Sequence, residues 1–273
     1  MTKEILRLMT AIIVTLIATS TLAQSDIASL IDTTLAGSHR SDKNKARDLY
    51  RHPKETLLFF GFKAEQTVVE MTPGAGWYTE VIAPVLRGRG RYIAAINKIT
   101  DKTPEGVRDA DRALRQNLAD HPELYDQVEI ANLTPPDSFP VAAAGSADLA
   151  LTFRNVHNWA RAGTADAIFK AFFIALKSGG TLGVVEHRAN EGTSLDQMIK
   201  TGYMTEAYVM EAAQKAGFTF VAKSDINANP RDTKDYPDGV WTLPPTLRLG
   251  DKDKERYLAI GESDRMTLKF IKP

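Results

Sequence analysis

Thr67-Val-Val-Glu-Met-Thr-Pro-Gly-Ala-Gly-Trp-Tyr-Thr79 is the stretch that decides the fold. A β-branched run ends at Glu70, a glycine-rich turn follows, and a helical pattern begins at Trp77. Gly74 and Gly76 have no Cβ, so they can adopt positive φ and let a ligand lie against the backbone. The backbone amide groups at the start of the next helix then point at a ligand that lies beyond the carboxyl end of the strand. The stretch predicts a strand, a ligand-binding turn and a helix, with a ligand-free tight connection as the alternative.

The turn does not have the spacing of a dinucleotide-binding loop. The pattern G-x-G-x-x-G, started at Gly74, would need glycine where Thr79 stands. A nicotinamide-dependent oxidoreductase is therefore disfavoured.

Strand-like and helix-like segments alternate along the chain. This alternation predicts the α/β class: a Rossmann-like, seven-stranded, mostly parallel sheet with helices on both faces. No crossover helix is predicted between the last two strands, so we expect an antiparallel pair at one edge, the last strand being antiparallel. The predicted strands are Thr67–Met71, Arg91–Ile96, Gln127–Ala131, Asp148–Phe153, Thr181–His187, Phe218–Lys223 and Met266–Ile271, and the clearest helices Pro104–Asp120, Ala162–Lys177 and Tyr203–Ala216.

The first residues have the pattern of a cleaved signal peptide. Lys3 and Arg7 give a basic start, and Met9–Ala18 is an apolar run too short to span a bilayer. Thr21-Leu-Ala23 fits a small-residue cleavage site, so the mature chain is expected to begin at Gln24, in the periplasm or outside the cell. No stable membrane insertion is then expected after cleavage. An uncleaved amphipathic anchor is the alternative.

Composition limits the partners and the chemistry. The chain has 34 lysine and arginine residues against 34 aspartate and glutamate residues, which gives no support for binding nucleic acid. It has no cysteine, so disulfides, thiolate nucleophiles and cysteine metal ligands are excluded. The length suits one α/β domain with additions. The oligomeric state is not indicated.

Three parts are expected in the chain: a signal peptide over 1–23, an N-terminal helical cap over 24–66, and the main domain over 67–273 with an insertion over 226–263. The insertion is rich in proline and carries Trp241, so we expect an ordered flap that packs this side chain near Asn155–Trp159. A structural cover on the sheet edge is the alternative.

Two turns resemble class I methyltransferases, which use S-adenosylmethionine (SAM). Glu70–Thr79 resembles the first motif of that family, an acid followed by alternating glycines, with Thr72 where the first glycine usually stands. Leu176–Glu186 resembles the L-K-P-G-G turn before strand five, with Ser178 in place of proline. The resemblance implies the class I fold and SAM as cofactor.

Nearly all of the chain after residue 23 also resembles a subgroup of exported predicted methyltransferases. The similar stretches are Pro73–Glu80, Thr152–Trp159 and Asp238–Gly250. They imply an exported enzyme that transfers a methyl group from SAM to a small-molecule acceptor. Because SAM is made in the cytosol, a non-catalytic or repurposed ligand-binding protein on the same fold is the alternative.

The resemblance also implies which residues contact SAM. The family has an acid at the end of strand two, which binds the ribose hydroxyls; here Asn97 stands there. A charge-assisted hydrogen bond is roughly twice as strong as a neutral one. Because Asn97 is neutral, we expect weaker binding of SAM than in the family. Arg51 or Tyr50, which precede the first strand, could meet the cofactor carboxylate, although an exposed position is favoured for each. The expected cofactor-binding residues are Glu70, Thr72, Gly74, Gly76, Tyr78, Asn97, Asn132 and Arg154.

The expected catalytic residues follow strands four and five. Asn155, His157 and His187 would lie at the carboxyl ends of these strands, where sites of such sheets are found. Histidine is a suitable general base near neutral pH. The alternative is that these polar groups only satisfy a buried loop. Alternation places Glu186 and His187 on opposite faces, and the spacing of His157, Glu186 and His187 gives no support for a metal site.

Overall fold

The structure of the protein is a computed structural model, which describes residues 26–134 and 138–273. The signal peptide expected over 1–23 lies outside the described residues. Among the residues described, no helix is both long enough and apolar enough to cross a membrane.

A seven-stranded mixed sheet forms the centre of the molecule. Its spatial order is β3-β2-β1-β4-β5-β7-β6, with β7 antiparallel to both neighbours and the other strands parallel to one another. The predicted Rossmann-like sheet with an antiparallel last strand is confirmed. The strands are β1 Thr67–Met71, β2 Arg91–Asn97, β3 Val128–Leu133, β4 Ala147–Phe153, β5 Leu176–His187, β6 Thr219–Ser224 and β7 Arg265–Ile271.

Helices cover both faces of this sheet. Adjacent residues of β1 alternate between two cores: Val68 packs in one hydrophobic cluster and Val69 in the other. This is the pattern of a strand that is buried on both sides. The helices are α1 over 26–36, α2 Asp42–Lys45, α3 Asp48–Arg51, α4 Pro53–Phe60, α5 Thr79–Leu86, α6 Glu105–Asp120, α7 Pro122–Tyr125, α8 Val156–Ala162, α9 Ala165–Ala175, α10 Leu195–Thr201, α11 Glu206–Ala216 and α12 Lys254–Ile260.

Two predicted element boundaries were wrong. The helix expected over Ala162–Lys177 is α9, Ala165–Ala175, and a separate helix α8 precedes it, because Gly163 adopts φ +66° and ends α8. The polar residues after β4, Asn155–Trp159, form the start of α8 rather than a loop. Strand β5 begins at Leu176, earlier than Thr181, because Leu176 already pairs with Ala147.

The N-terminal helices are packed against the sheet and fix one wall of the site. Phe60 of α4 is 1% exposed and lies over Gly183 in β5. A Cβ added at Gly183 would lie 2.7 Å from the Phe60 ring, so only glycine lets α4 approach this closely. The helix α3, immediately before α4, is thereby held beside the carboxyl ends of the strands.

Replacing Gly183 tests this packing. Gly183→Ala should lower the free energy of unfolding by about 1–3 kcal/mol, because it overpacks the contact between α4 and β5. Gly106→Ala is the matched control: a Cβ there meets nothing within 4 Å, and alanine favours the helix α6, so stability should rise by a few tenths to about 1 kcal/mol. Urea denaturation measures both. A neutral Gly183→Ala would contradict the packing of α4 on β5.

Candidate functional site

A cavity of about 210 Å³ lies at the carboxyl ends of the parallel strands. This edge of the sheet is where ligands bind in open α/β folds. Its walls come from five parts of the chain: the glycine turn after β1, the connection from β4 to α8, the end of β5, helix α3, and the long connection from β6 to β7.

The two glycines of the turn have different roles. Gly74 has φ +62° and lines the cavity, and a Cβ there would meet nothing within 4 Å. The open side of this residue is available to a ligand. Gly76 has φ +88°, but a Cβ there would lie 2.8 Å from Leu114 of α6. Gly76 is therefore required for packing against α6.

Asn155 anchors the glycine turn to the neighbouring strand. Its side-chain amide donates to the carbonyl oxygens of Met71 and Thr72, at 3.0 and 3.3 Å, and to Thr152 Oγ1 at 3.1 Å. Thr72 has a positive φ of 55° and lines the cavity. The Asn155 amide thus holds the strained backbone at the start of the turn.

His157 and Glu186 form a buried dyad. His157 Nδ1 lies 3.0 Å from Glu186 Oε1, and the other carboxylate oxygen accepts from the Val156 amide at 2.5 Å. Glu186 Oε1 also accepts from the His187 amide at 2.8 Å. A carboxylate that accepts backbone N–H groups acts as the acceptor for the histidine too, so His157 Nδ1 carries a proton, and in the neutral form of the ring the lone pair is on Nε2. His157 lines the cavity, where such a group can accept a proton.

His187 lies beside this dyad in the same wall. Its ring centroid is 5.4 Å from that of His157, and its Nδ1 lies 2.6 Å from Ser263 Oγ. Burial lowers the pKa of His187 well below its usual value, and the charges of His157 and Arg154 lower it further. His187 is therefore neutral at physiological pH.

The fold brings together the three groups whose spacing gave no support for a metal site. Ligand atoms of His157, Glu186 and His187 lie within 4.8 Å of one another. The side chains of Glu186 and His187 do not bond to each other: Glu186 pairs with His157, and His187 Nδ1 lies beside Ser263 Oγ. Arg51 and Arg154 line the same cavity, and their positive charge opposes binding of a dication.

Three arginines surround Glu262 in the cavity wall that helix α3 and the connection before β7 form. Glu262 accepts from Arg47 Nε at 2.6 Å, Arg51 Nε at 3.2 Å and Arg265 Nη2 at 2.6 Å. Burial would raise the pKa of Glu262, but the charges of these arginines outweigh it and hold that pKa below its usual range. The cluster ties α3 to the connection before β7.

Arg51 is the buried member of this cluster that faces the cavity. It is 1% exposed, and its guanidinium lies 4.5 Å from the centroid of the Trp77 ring. Neither Nη1 nor Nη2 has a hydrogen-bond partner among the described residues. Buried donors without a partner are costly, so these two NH2 groups are suited to a ligand anion. The favoured expectation of an exposed Arg51 was wrong.

Arg154 is the second cation of the cavity wall. It adopts φ +63°, directly before Asn155, and its amide donates to the Val185 carbonyl at 2.7 Å. Its guanidinium has no hydrogen bond or ion pair with any part of the chain that the structure describes. Burial and the charge of Arg265 lower the pKa of Arg154 to about 10, so it remains a cation near neutral pH.

Glu70 is buried at the floor of the cavity. It is 2% exposed and accepts a hydrogen bond from the Tyr92 hydroxyl. Burial raises the pKa of Glu70 to about 7, although this hydrogen bond and the charge of Arg154 favour the ionised form. A ligand cation nearby would shift this carboxyl towards its ionised form.

Aromatic side chains form the apolar walls. Tyr78 stacks on Phe153 with centroids 3.5 Å apart, and burial raises the pKa of Tyr78 to about 12. Trp241, in the connection from β6 to β7, lies with its ring centroid 5.9 Å from that of His157. Trp241 also lines the cavity, so the expected flap near Asn155–Trp159 is confirmed.

The predicted cofactor-binding residues are divided between two places. The cavity is lined by Glu70, Thr72, Gly74, Tyr78 and Arg154, together with Asn155, His157 and His187. Asn97 lines a separate cavity of about 290 Å³ between β2 and α6, and Asn132 is exposed on β3. Sequence reasoning missed Glu262 and Ser263 in the site. Each belongs to the site through a contact with a residue far away in the sequence, Glu262 with α3 and Ser263 with His187, and no local pattern indicates such a contact.

Comparison with known proteins gives the fold. No protein-family description matches the sequence, and no curated protein matches it. Solved structures that share the fold include a SAM-dependent methyltransferase from Aquifex aeolicus, 14% identical, with a TM-score of 0.50 over 67% of this chain and 87% of that one. The [4+2]-cyclase SpnF is 14% identical, with a TM-score of 0.58 over 87% of this chain and 86% of that one.

A third similar structure is a phosphoethanolamine N-methyltransferase from Haemonchus contortus, in complex with phosphomonomethylethanolamine and S-adenosylhomocysteine. It is 17% identical, with a TM-score of 0.55 over 82% of this chain and 53% of that one. At these identities the similarity establishes the Rossmann-like fold of SAM-dependent methyltransferases.

The tautomer of His157 tests the dyad. The ¹⁵N shifts should show Nδ1 protonated and Nε2 unprotonated in the wild type, and Glu186→Gln should remove this preference because a neutral amide holds the Nδ1 proton less strongly. His39 is an internal control, since its Nε2 lies 2.9 Å from the Glu80 carbonyl and must carry a proton to donate there. Protonation of His157 at Nε2 in the wild type would contradict the dyad.

Proposed function

We propose that the protein is a SAM-dependent methyltransferase that acts on a small-molecule acceptor. The observation that carries the proposal is the open face of Gly74, which lies in the same cavity as the His157–Glu186 dyad. A glycine turn of this kind at the end of β1 admits a ligand, and the histidine supplies a base beside it.

The residues of the cavity fit the methionine part of SAM. Arg51 has two NH2 groups, unpartnered among the described residues, for its carboxylate, and Glu70 lies at the floor for its ammonium group. Tyr78 and Phe153 form an apolar wall for the sulfonium. Asn97 and Asn132 lie on the side of β2 and β3, where the ribose and adenine would extend.

The chain's own groups provide positioning and proton removal. When bound, SAM would supply an electrophilic methyl group, with a neutral thioether as the leaving group. His157 Nε2 accepts the proton of the acceptor O–H or N–H group. Glu186 then stabilises the resulting imidazolium through the Nδ1 hydrogen bond. Asn155 keeps the glycine turn in place, and Trp241 excludes water from one side.

A second candidate function is a non-catalytic or repurposed ligand-binding protein. The neutral Asn97 in place of the ribose-binding acid favours it, because it weakens the expected hold on SAM. The [4+2]-cyclase among the similar structures also shows that this fold is not restricted to methyl transfer. We retain export through a cleaved signal peptide as part of the proposal; mass measurement of an N-terminus at Gln24 would support it.

Binding of S-adenosylhomocysteine, the methyl-transfer product, tests the proposal. Gly74→Ala should weaken binding at least tenfold, because the new Cβ enters the ligand space. Gly88→Ala is the matched control, with φ +72° and no atom within 4 Å of the added Cβ, but in the turn between α5 and β2 at the other edge of the sheet.

Both variants place alanine at positive φ, so both should lose about 1 kcal/mol of stability. Calorimetric titration with S-adenosylhomocysteine should separate them. Equal affinity of the two variants for S-adenosylhomocysteine would show that the glycine turn is not the cofactor site.

A further inference from the structure

Arg154 is a cation in the cavity wall whose guanidinium has no partner among the residues that the structure describes. Its position is fixed by the backbone, since the residue is held at φ +63° by the amide hydrogen bond to Val185. Its neighbour Arg265, by contrast, is paired with Glu262 at 2.6 Å. An arginine that is held in a cavity wall without a carboxylate is suited to bind an anion bidentately.

The balance of charge in the site also requires an anion. Four guanidinium groups lie in or behind the wall, against the carboxyl groups of Glu262, Glu186 and Glu70. SAM would bring one carboxylate together with an ammonium and a sulfonium, so it would add one further positive charge. A neutral or cationic acceptor would leave this excess of positive charge uncompensated, which is unfavourable where the dielectric constant is low.

Both arginines line the cavity, but only Arg154 has a guanidinium without any partner among the described residues. Arg51 lies over Trp77 at the start of the glycine-turn helix, and its Nε is held by Glu262. Arg154 lies on the connection that leads to His157, and its charge lowers the pKa values of both His187 and Arg51. Arg154, His157 and His187 line the same cavity, so an acceptor bound there lies within reach of both the proposed base and this arginine.

We propose that the acceptor is a small hydroxyl compound carrying an anionic group, a hydroxycarboxylate in the simplest case, and that Arg154 binds this group while the hydroxyl faces His157 Nε2. This inference rests on the proposed function. The cavity of about 210 Å³ limits the acceptor to a small molecule, and the Trp241 ring suits an aromatic or otherwise apolar body.

Binding of three probes of nearly equal size and different charge tests the inference. Calorimetry would measure 4-hydroxybenzoate, 4-hydroxybenzamide and 4-hydroxybenzylamine against the full protein, both alone and saturated with S-adenosylhomocysteine. We expect 4-hydroxybenzoate to bind at least tenfold more tightly than the amide and the amine. Arg154→Gln should reduce this ratio to near one, while Arg154→Lys should retain most of it, both variants having the same backbone requirement at φ +63°.

The outcomes separate the two proposals. Equal binding of the three probes to the wild type, or no binding of any, would overturn the anionic acceptor. An Arg154→Gln variant that loses affinity for S-adenosylhomocysteine as strongly as for 4-hydroxybenzoate would also overturn it, because Arg154 would then hold the cofactor carboxylate. Failure of the wild type to bind S-adenosylhomocysteine would overturn the proposed function, and the titration of the probes alone would still decide whether Arg154 selects anions.

Discussion

The carboxylate of Glu186 is the group on which the geometry of the site depends. It is fully buried at the end of β5 and accepts hydrogen bonds from the first amide of α8, from the His187 amide and from His157 Nδ1. One charged group thus fixes the start of a helix, the end of a strand and the tautomer of the proposed base. Burying a carboxylate is costly unless hydrogen-bond donors surround it. The need to supply these donors to Glu186 therefore determines how the start of α8, the end of β5 and His157 are arranged.

A second buried carboxylate, Glu262, joins the parts of the chain that lie outside the sheet. Its bonds to Arg47, Arg51 and Arg265 connect helix α3 with the connection before β7. Because the arginines outnumber this carboxylate, the cluster leaves positive charge facing the cavity. The same contacts that close the site therefore also give the cavity wall its positive charge.

The sequence predicts the sheet better than it predicts the site. β1 occurs over Thr67–Met71 as expected, because a β-branched run followed by glycines is a local signal. The His157–Glu186 dyad and the Arg51–Glu262 pair join residues 29 and 211 positions apart, and no local pattern indicates which side chains meet at that separation. Gly76 was assigned to the ligand, whereas its contact with Leu114 shows a packing role that only the placement of α6 reveals.

The central claim is that the cavity between the glycine turn and His157 is a SAM site. A crystal structure of the protein with S-adenosylhomocysteine is its most direct test. The account predicts the amino-acid part against Gly74, its carboxylate on Arg51, and the sulfur atom in the cavity on the same side as His157 Nε2. S-adenosylhomocysteine bound elsewhere, or oriented with its adenine in this cavity, would contradict the account.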